Sequence, residues 1–133
     1  MTKSVQHAKT PFNMVLFGGT GDLAMRKLLP ALYAAHLHGL LHVTGRIIGL
    51  GRQNLGRSGY LAQLEAEAKP RIRAWDAEAW AGFLSRIDYV QVDATQGEDY
   101  ARLTAALAGQ APVLNVYYLA TAPKLFEPIC AHL

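Results

Sequence analysis

A chain of 133 residues, of which 51% are hydrophobic and 17% charged, is long enough for one folded domain with a buried core. Its net charge of +3 comes without a Lys/Arg run or aromatic–basic interleaving, which excludes a typical nucleic-acid-binding surface. No apolar stretch approaches the roughly 20 residues that a helix needs to cross a bilayer, so no membrane partner is predicted.

The amino-terminal end is polar and lacks the apolar segment of a secretory signal. Residues 1–12 are therefore predicted to be a flexible leader, followed by one domain over residues 13–133. The single cysteine, Cys130, excludes an internal disulfide and fits a reducing compartment. The predicted location is the cytoplasm.

The first predicted strand runs directly into a glycine-rich turn. Residues 13–17 form an apolar run, and the next seven residues are Gly18-Gly19-Thr20-Gly21-Asp22-Leu23-Ala24. A helical pattern follows over residues 22–38, with Gly39 as its stop signal and Pro30 inside it, where a kink or local break is predicted. This order of strand, glycine turn and helix is the arrangement with which proteins hold a phosphate group.

The whole turn is predicted to bind the cofactor, although its G-x-x-G-x-x-A spacing differs from the common G-x-G-x-x-G/A. We expect Gly18 to permit the tight bend, Gly21 to let a pyrophosphate approach, and Ala24 to pack the helix against the strand. A charge on Asp22 is unfavourable beside phosphate, so its predicted role is the cap or first-turn acid of the helix. Lys27 is predicted to reach back toward phosphate, and a solvated lysine is an equal alternative. A turn that binds nothing is the alternative for the motif as a whole.

The second predicted strand, residues 46–51, ends at Arg52. NAD-binding domains place Asp or Glu at this point to bind the ribose 2′-hydroxyl, whereas an arginine accommodates the 2′-phosphate of NADP. No carboxylate occurs between Leu41 and Tyr60, and a planar guanidinium suits phosphate. The predicted cofactor is therefore NADP, with Gln53 as a neutral donor beside the arginine. An exposed loop arginine without this role is the alternative.

The rest of the chain continues the alternation of helices and strands. Helices are predicted over residues 59–69 (with Ser58 as cap), 76–86 and 97–108, and strands over residues 87–92 and 113–119. Because the strands are continuously apolar, we predict an α/β fold of the Rossmann-like, doubly wound type with a mostly parallel sheet. A complete sheet of this type has six strands, so one of about four strands is predicted to be truncated.

Two more candidate site residues follow from where strands end. Asp93 follows the third strand and is predicted to approach the adenine, with helix capping as the alternative. Tyr118, together with the backbone of residues 119–123, is predicted to line the ribose and nicotinamide, because open α/β sheets bind ligands at the carboxyl ends of their strands. Packing of Tyr117 and Tyr118 within the sheet is the alternative.

No metal site and no catalytic residue are predicted. His36, His38 and His42 cluster around a helix end without a Cys or carboxylate to complete a ligand set. No nucleophile, base and acid occur in a pattern that indicates a catalytic trio.

Three motifs, in order along the chain, resemble the glucose-6-phosphate dehydrogenase family. They are Phe17-Gly18-Gly19-Thr20-Gly21-Asp22-Leu23-Ala24 with Lys27-Leu28-Leu29-Pro30-Ala31-Leu32, then Ile48-Gly49-Leu50-Gly51-Arg52, then Tyr118-Leu119-Ala120-Thr121-Ala122-Pro123 with Phe126. The resemblance implies that Arg52 holds the 2′-phosphate of NADP. It also implies a reaction in which hydride passes from C1 of glucose 6-phosphate to NADP, giving 6-phosphogluconolactone and NADPH. This is the entry step of the oxidative pentose phosphate pathway.

The resemblance also implies that part of the chemistry is missing from this chain. The family removes the hydroxyl proton with a histidine in an Arg-Ile-Asp-His-Tyr-Leu-Gly-Lys motif and uses a lysine in a Glu-Lys-Pro motif, and neither motif occurs here. The antiparallel-sheet domain that completes the sugar site and mediates oligomers is not represented. We therefore expect NADP binding without turnover, and glucose 6-phosphate as a partner of the full-length enzyme only. An exposed sheet edge favours a homo-oligomer.

Two other interpretations stay open on the sequence alone. An extended short-chain dehydrogenase or epimerase begins with a similar strand and glycine turn. That class needs a Tyr-x-x-x-Lys pair, whereas Ala122 stands four residues after Tyr118. A non-catalytic NADP-binding module would have the same cofactor-binding residues as a dehydrogenase.

Overall fold

The structure is a computed structural model, and it describes residues 11–93, 96–107, 114–120 and 129–131. Within these ranges four strands form one sheet: β1 Phe12–Phe17, β2 Arg46–Gly51, β3 Ile87–Gln91 and β4 Leu114–Leu119. All neighbouring strands run parallel, and their order across the sheet is β3-β2-β1-β4. The predicted α/β fold with a parallel sheet is confirmed.

Helices connect the strands at each crossover. They are α1 Leu29–Leu37 after a π-helical turn Ala24–Leu28, α2 Gly56–Gln63 continued by turns Leu64–Ala68 and Lys69–Arg71, α3 Ala77–Leu84, and α4 Tyr100–Leu107 after a 3₁₀ turn Gly97–Asp99. Each predicted helix is present, with ends that differ by a few residues. No helix in the described ranges is long and apolar enough to cross a membrane.

Pro30 does not end the first helix, and the predicted local irregularity is a π-helical turn directly before it. The chain is helical on both sides of it, and the N–H of Leu29 donates to the carbonyl of Ala24, five residues earlier. A π-helical turn of this kind accommodates the proline ring, which clashes with the preceding carbonyls in a regular α-helix. Gly39 ends the helix as predicted, in a left-handed conformation with a φ of +70°.

The predicted cap at Ser58 is also wrong, because α2 begins earlier. Its first residue is Gly56, with a φ of +66°, so Ser58 lies inside the first turn. The guanidinium of Arg57 donates to the carbonyls of Leu84 and Ile87 at 2.9 and 2.8 Å. These bonds tie the helix start to the end of α3 and the start of β3. Such contacts join distant parts of the chain and leave no local sequence signal.

Two other boundaries are defined by individual residues and their contacts. Phe12, which was assigned to the leader, is the first residue of β1, and its ring fills the space beside Gly45 where a Cβ would collide with it. Asp76 is the N-cap of α3, since its carboxylate accepts a hydrogen bond from the N–H of Ala79 at 2.8 Å.

Helices cover both faces of the sheet. One face buries Leu16 and Ile47 against side chains of α1, α2 and α3, including Tyr33, Tyr60 and Phe83. The other face buries Val15, Phe17, Ile48 and Leu50 against Ile129 and α4, which contributes Leu103. Neighbouring strand residues point to opposite faces, which is why the apolar runs are continuous.

The topology determines where a ligand can bind. Because the strands are parallel, the glycine turn after β1, Arg52 after β2 and Asp93 after β3 all lie at the same edge of the sheet. The chain leaves β1 toward β2 and β3 on one side, and β4 pairs with β1 on the other side. Doubly wound sheets bind their ligands at this reversal of strand order, beyond the carboxyl ends.

Candidate cofactor-binding site

The glycine turn closes on itself at the end of β1. Gly18 has a φ of +78°, which side-chain-bearing residues rarely adopt, so it has the conformation expected for the tight bend. Its carbonyl accepts a hydrogen bond from the N–H of Gly21 at 3.0 Å. The N–H of Gly19 donates to the carbonyl of Leu50 at 2.9 Å, which fixes the turn to β2.

The helix after the turn begins with backbone donors that have no partner among the described residues. Among the described residues, these unpaired N–H groups belong to Thr20, Asp22, Leu23 and Ala24. The first paired donor is the N–H of Met25, which bonds to the carbonyl of Gly21 at 3.1 Å. Unpaired N–H groups at the positive end of a helix dipole attract a phosphate.

The side chains of the turn divide into buried and exposed groups. Asp22 does not cap the helix with its carboxylate, which instead accepts a hydrogen bond from Nε of Arg26 at 2.7 Å in an exposed ion pair. It is a first-turn acid whose charge is partly offset by this partner. Ala24 is fully buried, as close packing of helix on strand requires, whereas Leu23 is 39% exposed. Lys27 is exposed, and no described residue pairs with its ammonium group.

Arg52 lies next to the glycine turn, as predicted from the end of β2. Its side chain is exposed and has no partner in the part of the chain that the structure describes, while its carbonyl accepts from Nε2 of Gln91 at 2.9 Å. The hydroxyl of Thr20 donates to Oε1 of Gln53 at 3.3 Å. The carbonyl of Gln53 accepts from the hydroxyl of Tyr89 at 2.6 Å. The glycine turn and the turn at Arg52 therefore form one connected surface.

Asp93 lies at the same edge but on the outermost strand. Its N–H donates to Oδ2 of Asp99 at 2.9 Å, and its carbonyl accepts from the N–H of Gln96 at 2.9 Å. Burial and the nearby charge of Asp93 raise the pKa of Tyr100. These contacts tie Asp93 to the start of α4.

Tyr118 lies on the other side of β1 from Arg52. It pairs with Leu16 in the parallel register of β1 and β4. Tyr117 is 37% and Tyr118 43% exposed, and because neighbours on a strand point to opposite faces, each face of β4 carries an exposed ring. Both rings are thus partly exposed, and packing within the sheet stays an alternative to a role at the site. Residues 121–123, predicted to line the nicotinamide with Tyr118, lie outside the described residues.

The histidines lie at the opposite end of the sheet, because α1 carries the chain away from the glycine turn. Nδ1 of His36 accepts from Nε of Arg86 at 2.8 Å, and burial together with the charge of Arg86 lowers the pKa of His36. Nδ1 of His42 accepts from the N–H of Thr44 at 3.1 Å. Within the described ranges, no three His, Cys, Asp or Glu side chains are grouped so that they could hold a metal ion.

An apolar cavity of about 220 Å³ also lies away from the glycine turn. Its lining comes from the first halves of β1 and β4 and from the loop after α1: Phe12, Met14, Leu40, Leu41, His42, Leu114 and Val116. Its described lining contains no Lys, Arg, Asp or Glu, and the cavity is separate from the candidate site.

Two side chains that contact the glycine turn were not predicted from the sequence. The hydroxyl of Tyr60 donates to the carbonyl of Gly19 at 2.8 Å, and Nε2 of Gln63 donates to the carbonyl of Thr20 at 2.9 Å. A signal for Tyr60 was present in β2, because a glycine inside a strand indicates that another group approaches closely. A Cβ on Gly49 would overlap the Tyr60 ring.

A parallel sheet in this strand order, with a glycine turn after its first strand and unpaired N–H groups at the following helix, defines a nucleotide-binding domain of the Rossmann type. Residues 15–133 match the family model described as "Glucose-6-phosphate dehydrogenase, NAD binding domain". The chain belongs to the glucose-6-phosphate dehydrogenase family, and its cofactor class is a pyridine nucleotide. Family membership excludes the short-chain dehydrogenase interpretation.

Individual relatives and solved structures agree with this assignment. The chain is 43% identical to glucose-6-phosphate 1-dehydrogenase of Mycolicibacterium smegmatis and 41% identical to that of Gluconobacter oxydans, over 92% of this chain and 26% of each relative. A glucose-6-phosphate dehydrogenase solved in complex with its substrate glucose-6-phosphate matches with a TM-score of 0.81 at 27% identity, over 93% of this chain and 27% of that chain. The glucose-6-phosphate 1-dehydrogenase from Mycobacterium avium gives a TM-score of 0.82 at 27% identity, over 93% and 26%. The chain thus spans about a quarter of the length of the relatives it matches.

Proposed function

We propose that this chain is the NADP-binding part of a glucose-6-phosphate dehydrogenase, which oxidises glucose 6-phosphate at C1 to 6-phosphogluconolactone with formation of NADPH. The observation that carries the NADP preference is the exposed guanidinium of Arg52, which lies next to the glycine turn at the carboxyl end of β2 and has no partner among the described residues. When bound, the cofactor supplies the hydride acceptor. The protein supplies binding and orientation.

The residues present fit the two charged parts of such a cofactor. A pyrophosphate is matched by the unpaired N–H groups of Thr20 and residues 22–24 and by the positive end of the helix dipole. A 2′-phosphate is matched by Arg52, since no carboxylate lies between Leu41 and Tyr60 to compete for the guanidinium. The pairing of Asp22 with Arg26 reduces the repulsion that its carboxylate would exert on a phosphate.

Replacing Arg52 with alanine tests the assignment of NADP. We expect the affinity for NADPH to fall by about tenfold or more, because a charge-assisted contact to the 2′-phosphate is lost. The affinity for NADH should change by no more than about twofold, since NADH has no 2′-phosphate. Both are measured by fluorescence titration of the 133-residue chain.

The matched control is Arg73→Ala, which removes the same charge from an exposed residue after α2, beside Ala74, whose carbonyl accepts a hydrogen bond from Tyr33 of α1. It should leave both affinities unchanged. Equal losses for NADPH and NADH in the Arg52 variant would show that Arg52 does not read the 2′-phosphate.

Oligomer formation and a cytoplasmic location remain predictions for the whole protein. What supports association is the exposed surface of β4, an edge strand of the described sheet, where Leu114 is 56% exposed. The single cysteine supports a reducing compartment.

A further inference from the structure

We propose that Tyr60 is a positioning residue for the cofactor pyrophosphate, because its hydroxyl holds the peptide between Gly19 and Thr20 so that the N–H of Thr20 faces the phosphate. The inference rests on the proposed cofactor binding and adds a residue of α2 that would not touch the ligand.

The contacts of Tyr60 make its hydroxyl a fixed hydrogen-bond donor. The residue is 0% exposed, and its hydroxyl lies 2.8 Å from the carbonyl oxygen of Gly19. Its ring packs against Gly49 and lies 5.1 Å, between centroids, from the ring of Tyr89. Burial raises the pKa of Tyr60, so the hydroxyl keeps its proton and remains a donor at physiological pH.

Because of the geometry of the peptide bond, the contact of Tyr60 with the carbonyl of Gly19 also determines the direction of the N–H of Thr20. A trans peptide is planar, and its C=O and N–H groups point in opposite directions. Since Tyr60 holds the carbonyl of Gly19 toward α2, the N–H of Thr20 points away from α2, and it has no partner among the residues described. Gln63 holds the next carbonyl, that of Thr20, from the same helix at 2.9 Å. Two consecutive peptides of the turn are therefore fixed from α2.

Loss of the hydroxyl would affect the turn more than the fold. The carbonyl of buried Gly19 would lose its partner, and a peptide that follows a glycine can rotate at low cost. Rotation would turn the N–H of Thr20 away from the pyrophosphate and bring a carbonyl oxygen toward it. The pyrophosphate would then face a carbonyl oxygen, which repels it, in place of a hydrogen-bond donor.

The test compares Tyr60→Phe with the wild-type chain on three ligands: NADPH, NADH and adenosine 2′-monophosphate, which has no pyrophosphate. We expect about tenfold weaker binding of both NADPH and NADH, and unchanged binding of adenosine 2′-monophosphate. Gln63→Met, which removes the other bond to the turn, should give the same pattern. Tyr33→Phe is the control, since it removes a buried hydroxyl that bonds to the N–H of Asp76, away from the turn.

Three outcomes would overturn the proposed role of Tyr60. Unchanged NADPH affinity in Tyr60→Phe, beside a selective loss in Arg52→Ala, would overturn this inference and leave the proposed function standing. An equal loss for adenosine 2′-monophosphate would also overturn it, because the effect would not be confined to the pyrophosphate. If the wild-type chain binds neither NADPH nor NADH, the proposed function and this inference both fail.

Discussion

Replacing Gly49 with alanine is expected to lower the free energy of unfolding by about 3 kcal/mol. Gly49 is buried in the centre of β2, and a Cβ there would overlap the ring of Tyr60. That ring is fully buried and its hydroxyl is bonded to Gly19, so it has no free space into which it could move. Chemical denaturation measures the effect as a lower midpoint at an unchanged slope.

Two variants show whether the collision with Tyr60 is the cause. Gly82→Ala in α3 adds the same methyl group where it meets only the edge of the His36 ring at 3.2 Å, and alanine favours a helix, so stability should not fall by more than about 0.5 kcal/mol. In a Tyr60→Leu background, Gly49→Ala should cost less than half of its cost in the wild-type chain. The same cost in both backgrounds would contradict the explanation.

The chain on its own is expected to bind NADP but to form no NADPH from glucose 6-phosphate. Hydride can leave C1 only as a base removes the hydroxyl proton. The histidines of the described ranges, His36, His38 and His42, lie at the end of α1 and beyond, away from the carboxyl edge where the cofactor would bind. At that edge, the carboxylate of Asp22 is paired with Arg26. Nicotinamide absorbance at saturating concentrations of both substrates measures turnover.

A contaminating enzyme is the main source of error in this assay. The Arg52→Ala variant, purified in the same way, identifies it, because contaminating activity would not depend on Arg52. The relative from Mycolicibacterium smegmatis serves as the positive control. Steady NADPH formation by the wild-type chain that falls in the Arg52 variant would contradict the expectation.

Much of the fold could be predicted from the sequence because its signals are local. Continuous apolar runs bounded by glycine and polar residues indicated the strands, and the parallel sheet followed from their alternation with helices. The parallel sheet in turn predicts that Arg52 lies beside the residues of the glycine motif, because parallel strands bring their carboxyl ends to one edge. The predictions for residues 1–10 and for the other residues outside the described ranges are not tested by the structure.

The predictions that proved wrong depended on contacts between distant residues. Ser58 was expected to start α2, but the start is set by Arg57, which bonds to the end of α3. Tyr60 was missed because its partner, Gly19, is 41 residues away in the chain. Such contacts can be identified only once the three-dimensional arrangement of the strands and helices is known.

Binding of NADP across the glycine turn and Arg52 is tested most directly by following the backbone amide signals of the 133-residue chain by NMR during titration with NADP and with NAD. Saturable shifts are expected at Thr20 and at residues 22–24 with both cofactors, because both carry the pyrophosphate. A large shift at Arg52 is expected with NADP alone. Absence of saturable shifts at the glycine turn, or an equal shift at Arg52 with NAD, would contradict the proposed site.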